Sequence, residues 1–173
     1  MDITDNNTLL IERSKQGDTR AFSQLYSLYA TDMFRFAMYM MGTREDAEDA
    51  VQEAVFSAWR NIHTLKDTSL FKAWIFKILS NRCKTDLMKK NKLPDILPVE
   101  DYEFMLGDED FSFDSAELKE ALSSLTPPDG QIILLSVIGG FKSDELAEIY
   151  SMPAATIRSR QKRALEKLKA ILS

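Results

Sequence analysis

The sequence predicts an all-α protein of two small helical domains joined by an acidic flexible linker, the second domain containing a helix-turn-helix. Three observations predict it. Apolar residues recur every three or four positions through most of the chain, and no segment alternates between turn signals as hairpin strands do. Residues 1–92 hold 14 Lys/Arg and 12 Asp/Glu, residues 93–117 hold none and 9, and residues 118–173 hold 8 and 6, so the net charge of -5 resides in the middle. Finally, the short stretch SDELAEIY is separated by SMPA from a longer stretch crowded with Arg and Lys. We divide the chain into a first domain over 1–92, a linker over 93–114 and a second domain over 115–173.

In the first domain, Phe22, Leu25, Tyr26, Leu28, Tyr29, Met33, Phe36, Ala37 and Met40 lie at helical spacing in a run that halts at Gly42. One helix is expected there. Thr43 can cap a second, whose first turn carries Glu45 and Asp46, acids placed where unpaired amides and the helix dipole favour negative charge. It runs to about Asn61. Its buried side is supplied by Ala50, Val51, Ala54, Val55, Ala58 and Trp59. Asp46, Asp49, Gln52 and Glu53 share another side at spacings of three and four, an acidic stripe suited to docking on a basic protein surface. A third helix begins near Ser69 or Phe71. Phe71, Ile75, Ile78, Leu79 and Cys83 face its core, while Lys77, Asn81 and Lys84 point together from the other side with Trp74 beside them. Amide, ammonium and indole on one face can touch phosphates and stack on an unpaired base.

The stretch LPDILPVEDYEFMLGDEDFSFDSAE has two prolines, a glycine and no sustained helical period, which makes it an extended, solvated linker. Beyond it, Ser115 to Ser124 reads as a helix stopped by Pro127-Pro128, and Gln131 to Ile138 as another stopped by Gly139-Gly140. SDELAEIY, the break and the basic helix then form the helix-turn-helix. At about 100° per residue, Ile157, Ala164, Leu168 and Ile171 make an inward stripe with Leu165 at its edge. Arg158, Ser159, Lys162 and Arg163 project from the opposite side, with Thr156 at the N-terminal end. Arg can contact guanine with two bonds, whereas Lys and hydroxyls mostly hold phosphate.

Some functions are excluded. One cysteine, Cys83, rules out an internal disulfide, and with a single histidine, His63, the chain has no zinc cluster of Cys and His. Cys83 falls on the buried side of its helix as a small hydrophobe, and His63 is a polar loop residue. Arg82 and Asp86, one turn apart, form an internal ion pair. The apolar runs are too short and too charged to span a bilayer, and the N-terminus has no basic stretch before an apolar one, so we place the protein in the cytoplasm with no membrane insertion. No nucleophile-base arrangement or glycine-rich phosphate loop is present, so neither enzymatic activity nor a cofactor is expected.

Taken in series, GDTRAFSQLYSLY, DAEDAVQEAVFSAWRNI, FKAWIFKILSNRCKTDL and SDELAEIYSMPAATIRSRQKRALEKLK resemble the extracytoplasmic-function sigma factors, the small two-domain promoter-recognition subunits of bacterial RNA polymerase. The resemblance covers nearly the whole chain. It implies a first domain that grips the polymerase clamp and opens the minus-10 element, and a second that reads the minus-35 element as duplex. Position by position, it implies clamp binding by Asp46, Asp49, Gln52 and Glu53 and minus-10 contact by Trp74 and Asn81, to which Lys77 and Lys84 add their charge. The loop from about His63 to Ser69 would receive a flipped base, and Thr156, Arg158, Ser159, Lys162 and Arg163 would read the minus-35 element. The linker would follow the RNA exit path, and an anti-sigma protein would hold the chain inactive.

This sequence departs from the family pattern at PPDGQ, where a charged residue is common, and at Gln161, where many members place a bulky apolar residue. Two other readings are open at the level of sequence. The chain could be a free-standing helix-turn-helix regulator, or a helical adaptor whose basic helix binds an acidic protein. The acidic stripe beside the Trp74 and Asn81 face favours the polymerase subunit, because a regulator needs neither.

Overall fold

The computed structural model describes residues 3–90, 121–122 and 124–172, and the acidic linker at 93–114 lies outside them, as does most of the helix expected over 115–124. Among the described residues there are helices and no strands. Five α-helices build the N-terminal bundle: α1 (Ile3–Lys15), α2 (Thr19–Ser27), α3 (Ala30–Met41), α4 (Arg44–Asn61) and α5 (Phe71–Lys89). Single 3-10 turns at Ile62–Thr64 and Thr68–Leu70 connect α4 to α5. Three more helices form the C-terminal bundle: α6 (Pro127–Ile138), α7 (Ser143–Tyr150) and α8 (Ala154–Leu172).

Helix α1 is absent from the sequence reading, which finds no long apolar period before Phe22. Its buried residues are few, chiefly Leu10 and Ile11, with Ser14 donating to the Leu10 carbonyl at 2.7 Å. A capped corner then turns the chain. Asp18 accepts from the Ala21 amide at 3.1 Å and pairs with Arg13, and these two contacts, the amide first, hold its carboxyl below the usual carboxylate range.

The single helix expected from Phe22 to Met40 is two. The chain breaks at Leu28 and Tyr29, whose amides bond three residues back, to the carbonyls of Leu25 and Tyr26. Helical periodicity survives this break because such a tight turn scarcely disturbs the spacing of apolar residues. At Gly42 the backbone enters the left-handed region, φ 87°, and its N–H closes α3 on the Met38 carbonyl. Glycine adopts that conformation without the Cβ penalty. Thr43 caps α4 as expected, its hydroxyl accepting from the Asp46 amide at 3.2 Å.

A second correction concerns the proline pair. Pro127 and Pro128 begin α6, with Thr126 extended before them. Proline at the first helical positions gives up amides that have no intrahelical partner anyway. Helix α7 opens with the Lys142 N–H donating to Glu145 Oε1 at 3.1 Å. It closes at Ser151, φ 52°, whose amide reaches the Ala147 carbonyl. Pro153 then introduces α8, its carbonyl accepting from the Ile157 amide at 3.1 Å.

The C-terminal core is built by Ile132, Leu135, Leu146, Ile149, Ile157, Ala164 and Leu168, all buried. Leu165 and Ile171 remain half in water at 51% and 39% exposure, so the inward stripe of α8 ends a turn earlier than its periodicity suggests. Gln161 enters this apolar seam with its polar atoms satisfied: Nε2 donates to Ser136 Oγ at 2.8 Å, and Oε1 accepts from Ser143 Oγ at 3.3 Å. A hydrogen-bonded polar group between three helices occupies the place of a bulky apolar one.

Candidate nucleic-acid interface

On α8, burial of Ile157, Ala164 and Leu168 fixes which way the rest of the helix faces. Arg158, Ser159, Lys162 and Arg163 are exposed and Thr156 is half-buried, which puts all five on the side away from the core. None of the three cations on this face has an ion-pair partner among the described residues. Arg160, by contrast, turns back to α6 and pairs with Asp129 at 3.0 Å. Lys167 likewise donates to the Ser124 carbonyl at 2.7 Å. The helix thus splits its charge between an inner edge that ties it down and an outer face left to a ligand.

On α4 the structure brings Asp49, Gln52 and Glu53 together as an exposed stripe. Asp46 differs, for it is half-buried and its carboxylate accepts from Lys90 at the end of α5. These residues line one wall of an open cleft of about 470 Å³ between α4 and α5, whose other wall carries Arg82 and Asp86. Arg82 and Asp86 form the expected ion pair at 2.9 Å. Next to the stripe the structure adds an apolar shelf. Phe56 is 58% exposed, and Trp59 packs on Phe22 with ring centroids 5.2 Å apart. Sequence reasoning missed Phe56, although positions 49, 52, 53 and 56 follow the same helical spacing.

On α5, Phe71, Ile75, Leu79 and Cys83 are buried as expected, while Ile78 is only half-buried and Phe76 joins the buried set. Trp74 is half-buried with its ring centroid 5.9 Å from that of Phe71. Asn81 is exposed in a groove of about 440 Å³ between α4 and α5, which Arg60 and Phe56 also line. Arg60, whose guanidinium lies 5.5 Å from the Phe56 ring centroid, is a further cation that the sequence reading passed over. Lys77 and Lys84, on the other edge of α5, meet α7: Lys77 Nζ donates to Ser151 Oγ at 3.4 Å, and Lys84 Nζ sits 5.7 Å from the Tyr150 ring centroid. The stretch from His63 to Ser69 is pinned by buried Leu65 and by Asp67, which accepts from the hydroxyl and the amide of Ser69 at 2.6 and 3.0 Å.

Cys83 lies in the core, and burial, reinforced by Asp86 and opposed by Arg82, pushes its thiol from 9.0 up to about 12. It is not a reactive thiolate. Among the described residues no helix is long and apolar enough to cross a membrane.

These features define an all-helical, two-part protein whose second part is a helix-turn-helix with a free cationic face. Residues 25–93 match the family described as Sigma-70 region 2, and residues 115–168 match Sigma-70, region 4. The chain is 30% identical over 142 residues to the RNA polymerase sigma factor SigV of Bacillus subtilis, a match spanning 82% of this chain and 85% of that protein. It is also 30% identical over 171 residues to the ECF RNA polymerase sigma-E factor of Haemophilus influenzae, covering 91% of this chain and 90% of the relative. Among solved structures, the sigma factor RpoE of Bartonella quintana, in complex with the anti-sigma factor NepR, superposes with a TM-score of 0.73 at 27% identity, covering 87% of this chain and 96% of that one. CnrH, in complex with the cytosolic domain of CnrY, shares the fold at a TM-score of 0.73 and 23% identity over 96% of this chain and 97% of that chain. The chain belongs to the extracytoplasmic-function sigma factors, non-catalytic initiation factors that bind core RNA polymerase and direct it to promoters.

Proposed function

We propose that the work of this sigma factor is divided among three faces, in a first domain over 1–92 and a second over 115–173. The acidic stripe of α4, Asp46, Asp49, Gln52 and Glu53, docks on the polymerase clamp. Trp74, Lys77, Asn81 and Lys84 of α5 hold the separated minus-10 strand, with the turn at 63–69 receiving a flipped base. Thr156, Arg158, Ser159, Lys162 and Arg163 of α8 read the minus-35 duplex. The observation that carries this reading is the outer face of α8, where Arg158, Lys162 and Arg163 stand exposed opposite a buried apolar stripe. Exposed cations with no acidic partner among the described residues suit phosphates and base edges.

The protein has no enzymatic activity and needs no cofactor, acting in the cytoplasm through its partners. An anti-sigma protein is among those partners, in keeping with the complex of its Bartonella quintana relative with NepR. The test is run-off transcription with core polymerase on a duplex promoter and on the same promoter with a preformed bubble. Trp74→Ala and Asn81→Ala should slow initiation on the duplex and do so much less on the bubble. Equal loss on both templates refutes the strand-holding role of α5.

A further inference from the structure

Apolar burial seats the recognition helix, and polar contacts aim it. Ile157, Ala164 and Leu168 hold α8 against the C-terminal core, but apolar attraction has no preferred direction, and a helix resting on such a stripe is free to roll about its axis. Polar ties flank the stripe. Arg160 and Gln161 are consecutive, hence about 100° apart around the helix, and the buried residues lie between them. Arg160 reaches Asp129 in the first turn of α6 at 3.0 Å. Gln161 stands on the other side, nearer Arg158, and its amide meets both other helices of the bundle.

Each bond of that amide has a fixed direction. The Ser136 hydroxyl donates to the Ile132 carbonyl, one turn back in α6, at 2.8 Å, which leaves its oxygen to accept. It takes the Nε2–H of Gln161, at 2.8 Å. With Nε2 turned to α6, Oε1 turns to α7 and accepts from the Ser143 hydroxyl at 3.3 Å. The relay Ser143–Gln161–Ser136–Ile132 thus runs through α7, α8 and α6, and all three of its side chains are half-buried. Hydrogen bonds weaken steeply when they are bent. The relay therefore resists a roll that apolar packing does not.

We propose that Gln161 is a positioning residue for minus-35 recognition: by bridging Ser136 of α6 and Ser143 of α7, its amide sets the roll of α8 and so the aim of Arg158, Lys162 and Arg163. Gln161 acts through the helix that carries the reading side chains. Rolling a helix of about 5–6 Å radius by about 10° sweeps its side-chain tips through about 1 Å. A bidentate bond to a base edge must be held within about 0.5 Å and 10–20° of its productive geometry, whereas a lysine meets phosphate as a point charge and tolerates more. Slack at Gln161 therefore removes base discrimination before it removes affinity. The proposal rests on the reading of the α8 face given above, and its test separates the two.

The test compares run-off initiation by reconstituted holoenzyme on a promoter with an intact minus-35 element, on templates with single base changes in that element, and on one with the element scrambled. Gln161→Met keeps the length of the side chain and removes its hydrogen bonds; Ser136→Ala removes a partner on another helix. Each should lower the discrimination between intact and singly changed templates by about fivefold or more, the worth of one bidentate base contact. Initiation on the scrambled template should stay at the parent's level. The double variant should lose no more than the larger single loss, because both changes break one relay. A lower melting midpoint with initiation reduced by the same factor on every template makes Gln161 a structural residue only and overturns the proposal. Lost discrimination for Gln161→Met with none for Ser136→Ala means that the amide meets DNA directly, and overturns it too. Arg163→Ala is measured beside them. If it leaves minus-35 dependence unchanged, the reading of the α8 face fails and the positioning role with it; if it lowers that dependence and Gln161→Met does not, positioning alone fails.

Discussion

Arg160 and Arg163 sit three residues apart on α8, about 60° apart around the helix axis, yet the structure predicts opposite consequences for their loss. The Arg160 guanidinium is bound to Asp129 at 3.0 Å, with side-chain exposures of 30% and 19% for the pair. It ties the recognition helix to the first turn of α6. A half-exposed pair of this kind is screened by solvent and contributes about 1 kcal/mol. If the C-terminal bundle melts on its own, Arg160→Ala should lower its midpoint by roughly 4–8 °C, as for other domains under 100 residues. Arg163 is exposed and has no ion-pair partner among the described residues, so its loss should leave the melting curve in place. It should instead cost about 1–3 kcal/mol on a promoter with an intact minus-35 element, roughly a 5- to 150-fold loss. The assay compares run-off initiation by reconstituted holoenzyme on templates with intact and scrambled minus-35 sequence, beside thermal melts of each variant. A lowered midpoint for Arg163→Ala with unchanged minus-35 dependence would refute the orientation of α8.

Charge reversal at Asp49 and Glu53 should weaken binding to core polymerase, read by competition against the parent protein, while helical circular dichroism is unchanged because both side chains are exposed; undiminished assembly contradicts the docking role. Cys83 should resist thiol reagents at neutral pH until the chain is unfolded, since burial pushes its thiol up to about 12. The sign follows from proton linkage: the folded thiol keeps its proton where the unfolded one, near 9.0, has lost it. Its contribution to stability is thus complete below pH 9 and lost as pH rises toward 12. Denaturation measured across that window should show Cys83→Ala losing less stability than the parent, and parallel curves would count against the buried thiol.

Local patterns of sequence determined a good deal of this molecule. The all-helical class, the Thr43 cap, the Arg82–Asp86 pair, the buried Cys83 and the outward set of Arg158, Ser159, Lys162 and Arg163 all depend on spacing along one helix, which a 100° rotation per residue converts directly into a face. The break at Leu28 and Tyr29 escaped because periodicity scarcely registers a tight turn that keeps apolar residues inward. The start of α6 was misread because proline ends one helix and begins another with the same chemistry. Tertiary structure alone decided the rest. Helical angle put Arg163 on the outward side and Arg160 outside that set, but only the position of Asp129, 31 residues earlier, makes Arg160 a tie. Phe76, Lys77 and Lys84 met partners on α7 or beside it, more than fifty residues away in sequence. Gly130 had no legible purpose until Tyr39 stood against it. Contacts between distant segments depend on how two surfaces fit in space, and no period along the chain records that fit.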